Sequence, residues 1–322
     1  MTFARIAGTG GYLPERIVTN KELEDMVDTS DEWIRERSGI KRRHIAADGE
    51  TTSDMALVAA RRALDSADLA TEDIDLIIVA TTTPDKVFPS TACIVQRLLA
   101  VKNTPAFDVH AACSGFIYAL DIANRFITTG GAKHVLVIGS ETYSRILDWN
   151  DRATCVLFGD GSGAVVLSAS NEAGIISTHI HSDGEFEELL HVPAGISSGY
   201  ETLQQEAAFI QMKGNEVFRK AVGTLGSIAR ETLVGNNVSQ DDIAWLVPHQ
   251  ANLRIIAAAA KKLGLPMDQV IVTVDEHANT SSASIPLALD VAVRDGRIKS
   301  GDLLLFEAFG AGFTWGSALV RY

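Results

Sequence analysis

The sequence predicts an α/β protein assembled from two halves that share one topology. Two observations carry this. Short, near-continuous apolar runs read as strands covered on both faces by helices. The same order of elements (strand, strand, helix, strand, glycine turn, strand) occurs twice, with no low-complexity linker or charge block between the copies. The repeat places the division near residue 170, giving halves 1–170 and 171–322.

In the first half, Ile74–Ala80 is a buried strand and Pro105–Val109 a short second one. The latter runs into an amphipathic helix from about Ser114 to Thr129, stopped by Gly130-Gly131. His134–Gly139 is the third strand, and the turn Gly161-Ser162-Gly163 feeds a fourth through Leu167. In the second half the matching strands are Ile243–Val247 and Val270–Val274. A helix from about Ser281 to Val293 and the strand Asp302–Phe306 come next, and Gly310-Ala311-Gly312 turns into the last strand, through Val320.

Composition narrows the class of function. The 322 residues are 46% hydrophobic and 21% charged, ordinary globular usage, which excludes a disordered chain. Lys and Arg number 28 against 41 Asp and Glu, a formal charge of −13. Such a chain is a poor binder of nucleic acid or anionic membranes, and an acidic partner needs a local basic patch. No apolar run approaches a membrane span and the N-terminus carries no secretory pattern, so a cytoplasmic protein with reduced thiols is expected. Cys93, Cys113 and Cys155 are too few and too far apart for a disulfide framework or a metal ribbon.

Cys113 is the sharpest chemical signal, because it lies where a buried strand ends and a helix begins. Backbone N–H groups and the positive end of the helix dipole favour thiolate there, and Ala111, Ala112, Ser114 and Gly115 leave room for a substrate. The same pattern also fits a buried structural cysteine. Cys93 and Cys155 have apolar neighbours and read as packing. A cysteine nucleophile wants a histidine and an orienting group. His249 directly follows a strand, and Asn279 lies between a strand and a helix. On the repeat, Asn279 corresponds to Cys113, which puts the two face to face with His249 beside them. His277 is the competing imidazole. Gly310-Ala311-Gly312 can present a backbone N–H, or is simply a tight turn. Gly159–Ala164 matches G-x-G-x-x-A but precedes a strand-like run, so no dinucleotide site is expected.

At these residues the sequence resembles the β-ketoacyl-acyl-carrier-protein synthase III family, condensing enzymes that start bacterial fatty-acid synthesis. The resemblance runs end to end. It rests on Gly8–Pro14, Asp28–Ile34, Phe107-Asp108 with Ala111-Ala112-Cys113, Phe158–Gly161, Pro248–Asn252, Asn279–Ser281 and Phe309–Tyr322. It implies a thiolase-like fold of five layers, α-β-α-β-α, in a homodimer. It assigns Cys113 as the acyl-accepting nucleophile, completed by His249 and Asn279, with an oxyanion hole from the N–H groups of Cys113 and Ala311. Elongating relatives place a second histidine where Asn279 stands, and thiolases carry a second cysteine in the C-terminal glycine turn, absent from Gly310-Ala311-Gly312. Ala311 departs from the glycine of some members, which matters only if the turn needs positive φ.

Further assignments follow from the same resemblance. Trp33 and Arg152 are similar to the pair that holds the adenine of coenzyme A, with Thr29 and Arg37 nearby and Asn252 on the pantetheine arm. Phe88 and Phe309 resemble walls of the acyl pocket, Phe88 reaching across the dimer. Arg219, Gln250, Arg254, Lys261 and Lys262 are the expected carrier-protein contacts. Arg254 and Lys261, seven apart, share one helix face, as do Arg219 and Arg230 on another helix. The implied reaction joins a short acyl-CoA, acetyl-CoA first, to malonyl-acyl-carrier protein with loss of CO2. No metal or cofactor is expected, coenzyme A being a substrate carrier. The alternatives are a ketosynthase or acyltransferase of secondary metabolism with the same triad, and a silent scaffold that only binds carrier protein.

Overall fold

A computed structural model describes residues 2–205 and 208–322. In the first half, β1 (Phe3–Tyr12), β2 (Leu76–Ala80), β3 (Ala106–Val109), β4 (His134–Glu141) and β5 (Gly161–Ser170) form one sheet, ordered β1-β5-β4-β2-β3. In the second half, β6 (Ile175–Ser182), β7 (Trp245–Pro248), β8 (Leu303–Gly310) and β9 (Thr314–Arg321) form another, ordered β7-β8-β9-β6. The main helices are α1 (Thr52–Ala67), α2 (Thr91–Leu98), α3 (Gly115–Thr128), α4 (Gly214–Gly235), α5 (Leu253–Leu263) and α6 (Ser284–Arg294).

Strand alternation builds the layers. Ile77 and Val79 of β2 face Ala56, Ala59, Ala60 and Ala63 of α1. Leu76, Ile78 and Ala80 point the other way, into a cluster with Phe116 and Leu120 of α3 and Ala288 and Leu289 of α6. On β8, Leu304 and Phe306 join that same central cluster, whereas Leu303 and Leu305 pack on Ala229 of α4 and Ile256 and Ala260 of α5. The stack is therefore α1/α2, sheet, α3/α6, sheet, α4/α5. Both sheets are covered on both faces, which is why their strands read as unbroken apolar runs.

The two central helices are tied to the sheets by the same device. Asp121 of α3 accepts from Thr178 of β6 and pairs with Arg125, while Asp290 of α6 accepts from Thr9 of β1 at 2.8 Å and pairs with Arg294. Each buried carboxylate keeps an i,i+4 guanidinium and one cross-layer hydroxyl. This correspondence fixes the register of the repeat. The left-handed Ala112 (φ 45°) matches the left-handed Ser281 (φ 51°), each opening a single 3-10 turn before its helix. Cys113 therefore corresponds to Ser282 and Asn279 to His110. The equivalence of Asn279 with Cys113 expected from the sequence is displaced by one helical turn.

Two other expectations are corrected. Val270–Val274 forms no strand: only Val270 bridges Leu246, and the N–H groups of Thr273 and Val274 donate to the Gln250 side chain instead of a sheet. The strands β1 and β6, which escaped the sequence reading, open each half. β1 is rich in glycine and β6 is half exposed, so neither shows an apolar run.

Glu307 of β8 is fully buried, and among the described residues neither carboxyl oxygen has a hydrogen-bond partner. Burial pushes it from 4.5 up to about 8, so the native state keeps a proton that the unfolded chain releases. Its contribution to stability is full below 4.5 and is lost as pH rises through 8. Glu307→Gln is expected to gain on the native protein between those limits, by up to about 5 kcal/mol. Urea unfolding at acidic and at mildly alkaline pH measures it. An equal difference at both pH values would refute a buried, neutral Glu307.

Candidate active site

Three chain segments converge where the central layer meets the sheet ends. Cys113 sits in the 3-10 turn before α3, after β3 ends at Val109. His249 directly follows β7 and extends its ladder by donating its N–H to Glu307 O at 2.8 Å. Asn279 is stitched to the first half: its N–H donates to Leu157 O at 2.9 Å and its O accepts from Gly159 N at 3.0 Å. All three are buried and line one cavity of about 300 Å³. His277, the competing imidazole, is buried elsewhere and does not line it.

The hydrogen-bond network decides what the two polar side chains show the cavity. The Ser284 hydroxyl lies 2.7 Å from His249 Nδ1 and already accepts from Gln250 N–H at 3.3 Å. Its own hydrogen has no other acceptor among the described residues, so it goes to Nδ1, and the imidazole carries its proton on Nε2. Burial lowers the His249 pKa to about 3, which keeps the ring neutral. Asn279 Oδ1 accepts from Ser281 N–H at 2.9 Å, which leaves the Nδ2 hydrogens facing the cavity. The pair is thus two neutral N–H donors, with no base.

Cys113 differs from the expectation that the helix entrance lowers its pKa. The side chain is buried, and burial pushes the thiol up to about 12 against the Ser281 hydroxyl, which favours thiolate. Desolvation outweighs the dipole at this end of α3. Gly310 packs so closely that a Cβ on it would lie 2.7 Å from Cys113 N, so only glycine fits. Ala311, the next residue, does not occupy the left-handed region, which falls on Gly312 (φ 132°). The alanine thus sits in the turn without strain.

The cavity runs outward past Phe309 and Asn252 to Trp33 and Arg37. The guanidinium carbons of Arg152 and Arg37 lie 4.9 and 5.6 Å from the Trp33 ring centroid. A base between Trp33 and Arg152 needs two spacings of about 3.5 Å, so one of these side chains has to swing out to admit it. The Thr29 hydroxyl is buried without a partner among the described residues. Asn252 caps α5, its Oδ1 accepting from Ile255 N–H at 2.9 Å, and its amide hydrogens remain available. A second cavity of about 890 Å³ opens on the other side of Cys113, lined by Thr82, Tyr143, Ile146, Ile210 and Ala311.

Several expected site residues stand elsewhere. Gln250 is buried and its amide is spent on the backbone of Pro248, Ile271, Thr273 and Val274, so no carrier protein can reach it. Phe309 lines the first cavity and not the second, packed on Phe313 at 4.6 Å. Phe88 is 82% exposed and lines neither cavity of its own chain. Arg254 stands at the cavity mouth, over Phe218, while Lys261 and Lys262 occupy the far end of α5. Arg219 lies in a groove with Glu185, Glu188 and Glu216 and with a second cation, Lys220, away from the mouth where Arg254 stands. Cys93 Sγ donates to Ala106 O, and Cys155 lies in a buried apolar cluster shared by residues of both halves. Sequence reasoning missed Glu141, Tyr143, Ser281 and Ser284, which no spacing links to Cys113.

A buried cysteine at a helix entrance, facing two neutral N–H donors between two sheets of like topology, defines a condensing enzyme of the thiolase fold. Residues 107–184 match the model of 3-oxoacyl-[acyl-carrier-protein] synthase III and residues 233–322 that of its C-terminal part. The chain belongs to this family. It is 66% identical over the whole of both chains to the β-ketoacyl-[acyl-carrier-protein] synthase III of Thioalkalivibrio sulfidiphilus, and 63% identical, again over all of both, to that of Thiobacillus denitrificans. Among solved structures, the 3-oxoacyl-[acyl-carrier-protein] synthase III of Aquifex aeolicus superposes with a TM-score of 0.94 at 50% identity, covering 99% of this chain and all of the other.

Proposed function

We propose that the protein condenses a short acyl-CoA, acetyl-CoA first, with malonyl-acyl-carrier protein, releasing CO2 and a β-ketoacyl-carrier protein that starts fatty-acid synthesis. The observation that carries the reading is the pair of neutral donors opposite Cys113. Decarboxylation needs no base, because CO2 leaves with no proton to remove. It needs donors aimed where the enolate oxygen gains charge. His249 Nε2–H and Asn279 Nδ2–H supply them.

Cys113 first takes the acyl group, with the N–H groups of Cys113 and Ala311 on the oxyanion, and coenzyme A leaves along the Trp33 side. The enolate from the malonyl thioester then attacks the acyl-cysteine. Coenzyme A acts as a substrate carrier, and the steps call on no metal or resident cofactor. The second cavity receives the acyl chain. A second copy of the chain is proposed to pair along β3, the open edge of the first sheet, and to bring its exposed Phe88 to that cavity. Among the described residues no helix is long and apolar enough to cross a membrane.

Labelled acetyl-, butyryl-, isobutyryl- and octanoyl-CoA, each offered with malonyl-carrier protein, test this. The expected result is one CO2 per β-ketoacyl product, fastest with acetyl-CoA. Acyl transfer to the carrier without CO2 release would defeat the proposal. Carrier docking is placed at the mouth beside Arg254, a cation that attracts an acidic partner. Arg254→Glu should raise KM for the carrier substrate about tenfold and spare acyl-CoA loading. An unchanged KM removes Arg254 from the docking surface.

A further inference from the structure

The two N–H groups assigned to the oxyanion come from different halves of the chain. Cys113 lies in the 3-10 turn that ends at Ser114, and Ala311 in the turn between β8 and β9. Two such donors stabilise an oxyanion only while their spacing is fixed. Side-chain hydroxyls join the two turns. The Thr314 hydroxyl lies 2.8 Å from Ala111 O and 3.0 Å from Ala311 O, so one hydrogen is shared between a carbonyl of each half. The Ser114 hydroxyl donates back to Thr314 O at 2.9 Å. Ser114 N–H closes the ring by donating to Ala111 O at 3.0 Å.

We propose that Thr314, with Ser114 behind it, is the clasp that sets the oxyanion hole: a positioning residue that holds Ala311 N–H at a fixed place relative to Cys113 N–H. It acts through those two donors and not on the sulfur. The inference rests on the condensation reading above for the two donors, and it adds a residue that the Cys-His-Asn set does not contain.

The tied points bracket both donors. Ala111 and Ser114 stand on either side of Cys113, and Gly310 and Thr314 on either side of Ala311. Gly310 packs against Cys113 N, so one end of the second turn is set by that contact and the other by the Thr314 hydroxyl. The far side of the turn is held by Phe313, which exchanges backbone hydrogen bonds with Asp183 at 2.6 and 2.8 Å. Asp183 follows β6 of the same half, so those bonds shape the turn without fixing its distance from Cys113. Among the described residues no other hydrogen bond joins the two turns. In acyl transfer the Cys113 sulfur bonds to the carbonyl carbon, and the π pair moves onto oxygen, where both N–H groups meet it. The pair returns as the bond to the coenzyme A sulfur breaks, so one thiolate replaces another. Alkylation of the same sulfur by iodoacetamide expels iodide and forms no oxyanion, and so does not call on the clasp.

Thr314→Val removes the hydroxyl and keeps the branched shape that suits a strand. Single-turnover loading of Cys113 from acetyl-CoA, followed by mass spectrometry, should fall about tenfold, the cost of a donor left in place but no longer held. Alkylation by iodoacetamide should stay within about twofold of the native rate, and Thr314→Ser, which keeps the hydroxyl, should bring loading back to within about threefold. The same comparison is made with p-nitrophenyl acetate, whose acyl transfer to Cys113 forms the same oxyanion without coenzyme A. Failure of the clasp is thereby read apart from failure of the condensation reading. Unchanged loading in Thr314→Val, or alkylation that falls by the same factor as loading, overturns the proposal. If Thr314→Val does not fold, Ser114→Ala takes its place. It should lower loading with alkylation unmoved, and loading at the native rate there is likewise fatal.

Discussion

Cys113→Ser should lose acyl transfer by a factor on the order of a thousand or more, with malonyl-carrier decarboxylation largely intact. A thiol that burial holds at about 12 is already a reluctant anion. It can still ionise in part because sulfur spreads the charge and the start of α3 offers backbone donors. A serine hydroxyl ionises far less readily, and no group in this cavity takes its proton: His249 presents Nε2–H and Asn279 an amide NH2. The site is therefore specialised for sulfur in a way that a serine hydrolase, with an imidazole lone pair on its nucleophile, is not. Decarboxylation uses only the two donors and does not need the nucleophile. The separation is measured by following labelled acyl adducts by mass spectrometry and CO2 release in parallel. An acyl adduct on Cys93 or Cys155 would overturn the assignment, as would a Cys113→Ser enzyme that loads at the native rate.

The residues that could be read from sequence are those whose chemistry and local chain path coincide. Cys113 and His249 each stand within a few residues of a strand end, where α/β sheets place their sites, and a single stretch of sequence shows both facts. Asn279 was found through the repeat, but in the wrong register. The matching signals, Asp121 with Arg125 and Asp290 with Arg294, are ordinary helix ion pairs until their cross-layer hydroxyls are seen. Glu141 and Tyr143 gave no signal at all, and Ser281 stood only as the end of the Asn279–Ser281 segment, with no role attached to it. The Ser281–Glu141 contact joins positions 140 residues apart, contributed by the two halves, and hydroxyl groups carry no recognisable spacing. Gln250 shows the converse failure. Its place beside His249 in a specific motif suggested contact with a partner, yet its amide serves the backbone that lets Val270–Val274 leave the sheet. The acidic company of Arg219 is likewise a tertiary fact, since Glu185 and Glu188 lie on a different segment from the α4 residue they surround.

Asn279→Ala is expected to slow decarboxylation by about 10²–10³-fold, the usual cost of one preorganised donor on a developing oxyanion, while Cys113 still loads acyl groups within a few-fold of the native rate. The asymmetry follows from the geometry. Asn279 Nδ2 faces the cavity because Oδ1 is held by Ser281 N–H, and removing the side chain deletes a donor to the enolate and nothing that the thiol uses to attack. The same geometry separates the two half-reactions in pH. His249 is charged only below about 3, so its donor role is constant across the neutral range and the decarboxylation rate should be flat in pH from about 5 to 9. A base-catalysed step would instead collapse as an ordinary imidazole took up its proton near 6.5. Loading, by contrast, depends on the Cys113 thiolate and should keep rising with pH toward about 12. Single-turnover measurements of each half-reaction, with native enzyme and with Asn279→Ala, test both statements together. Equal losses in loading and decarboxylation would mean that Asn279 acts on the nucleophile. A decarboxylation rate that fell steeply between pH 7 and pH 6 would mean that His249 works as a base and that the two-donor reading of this site is wrong.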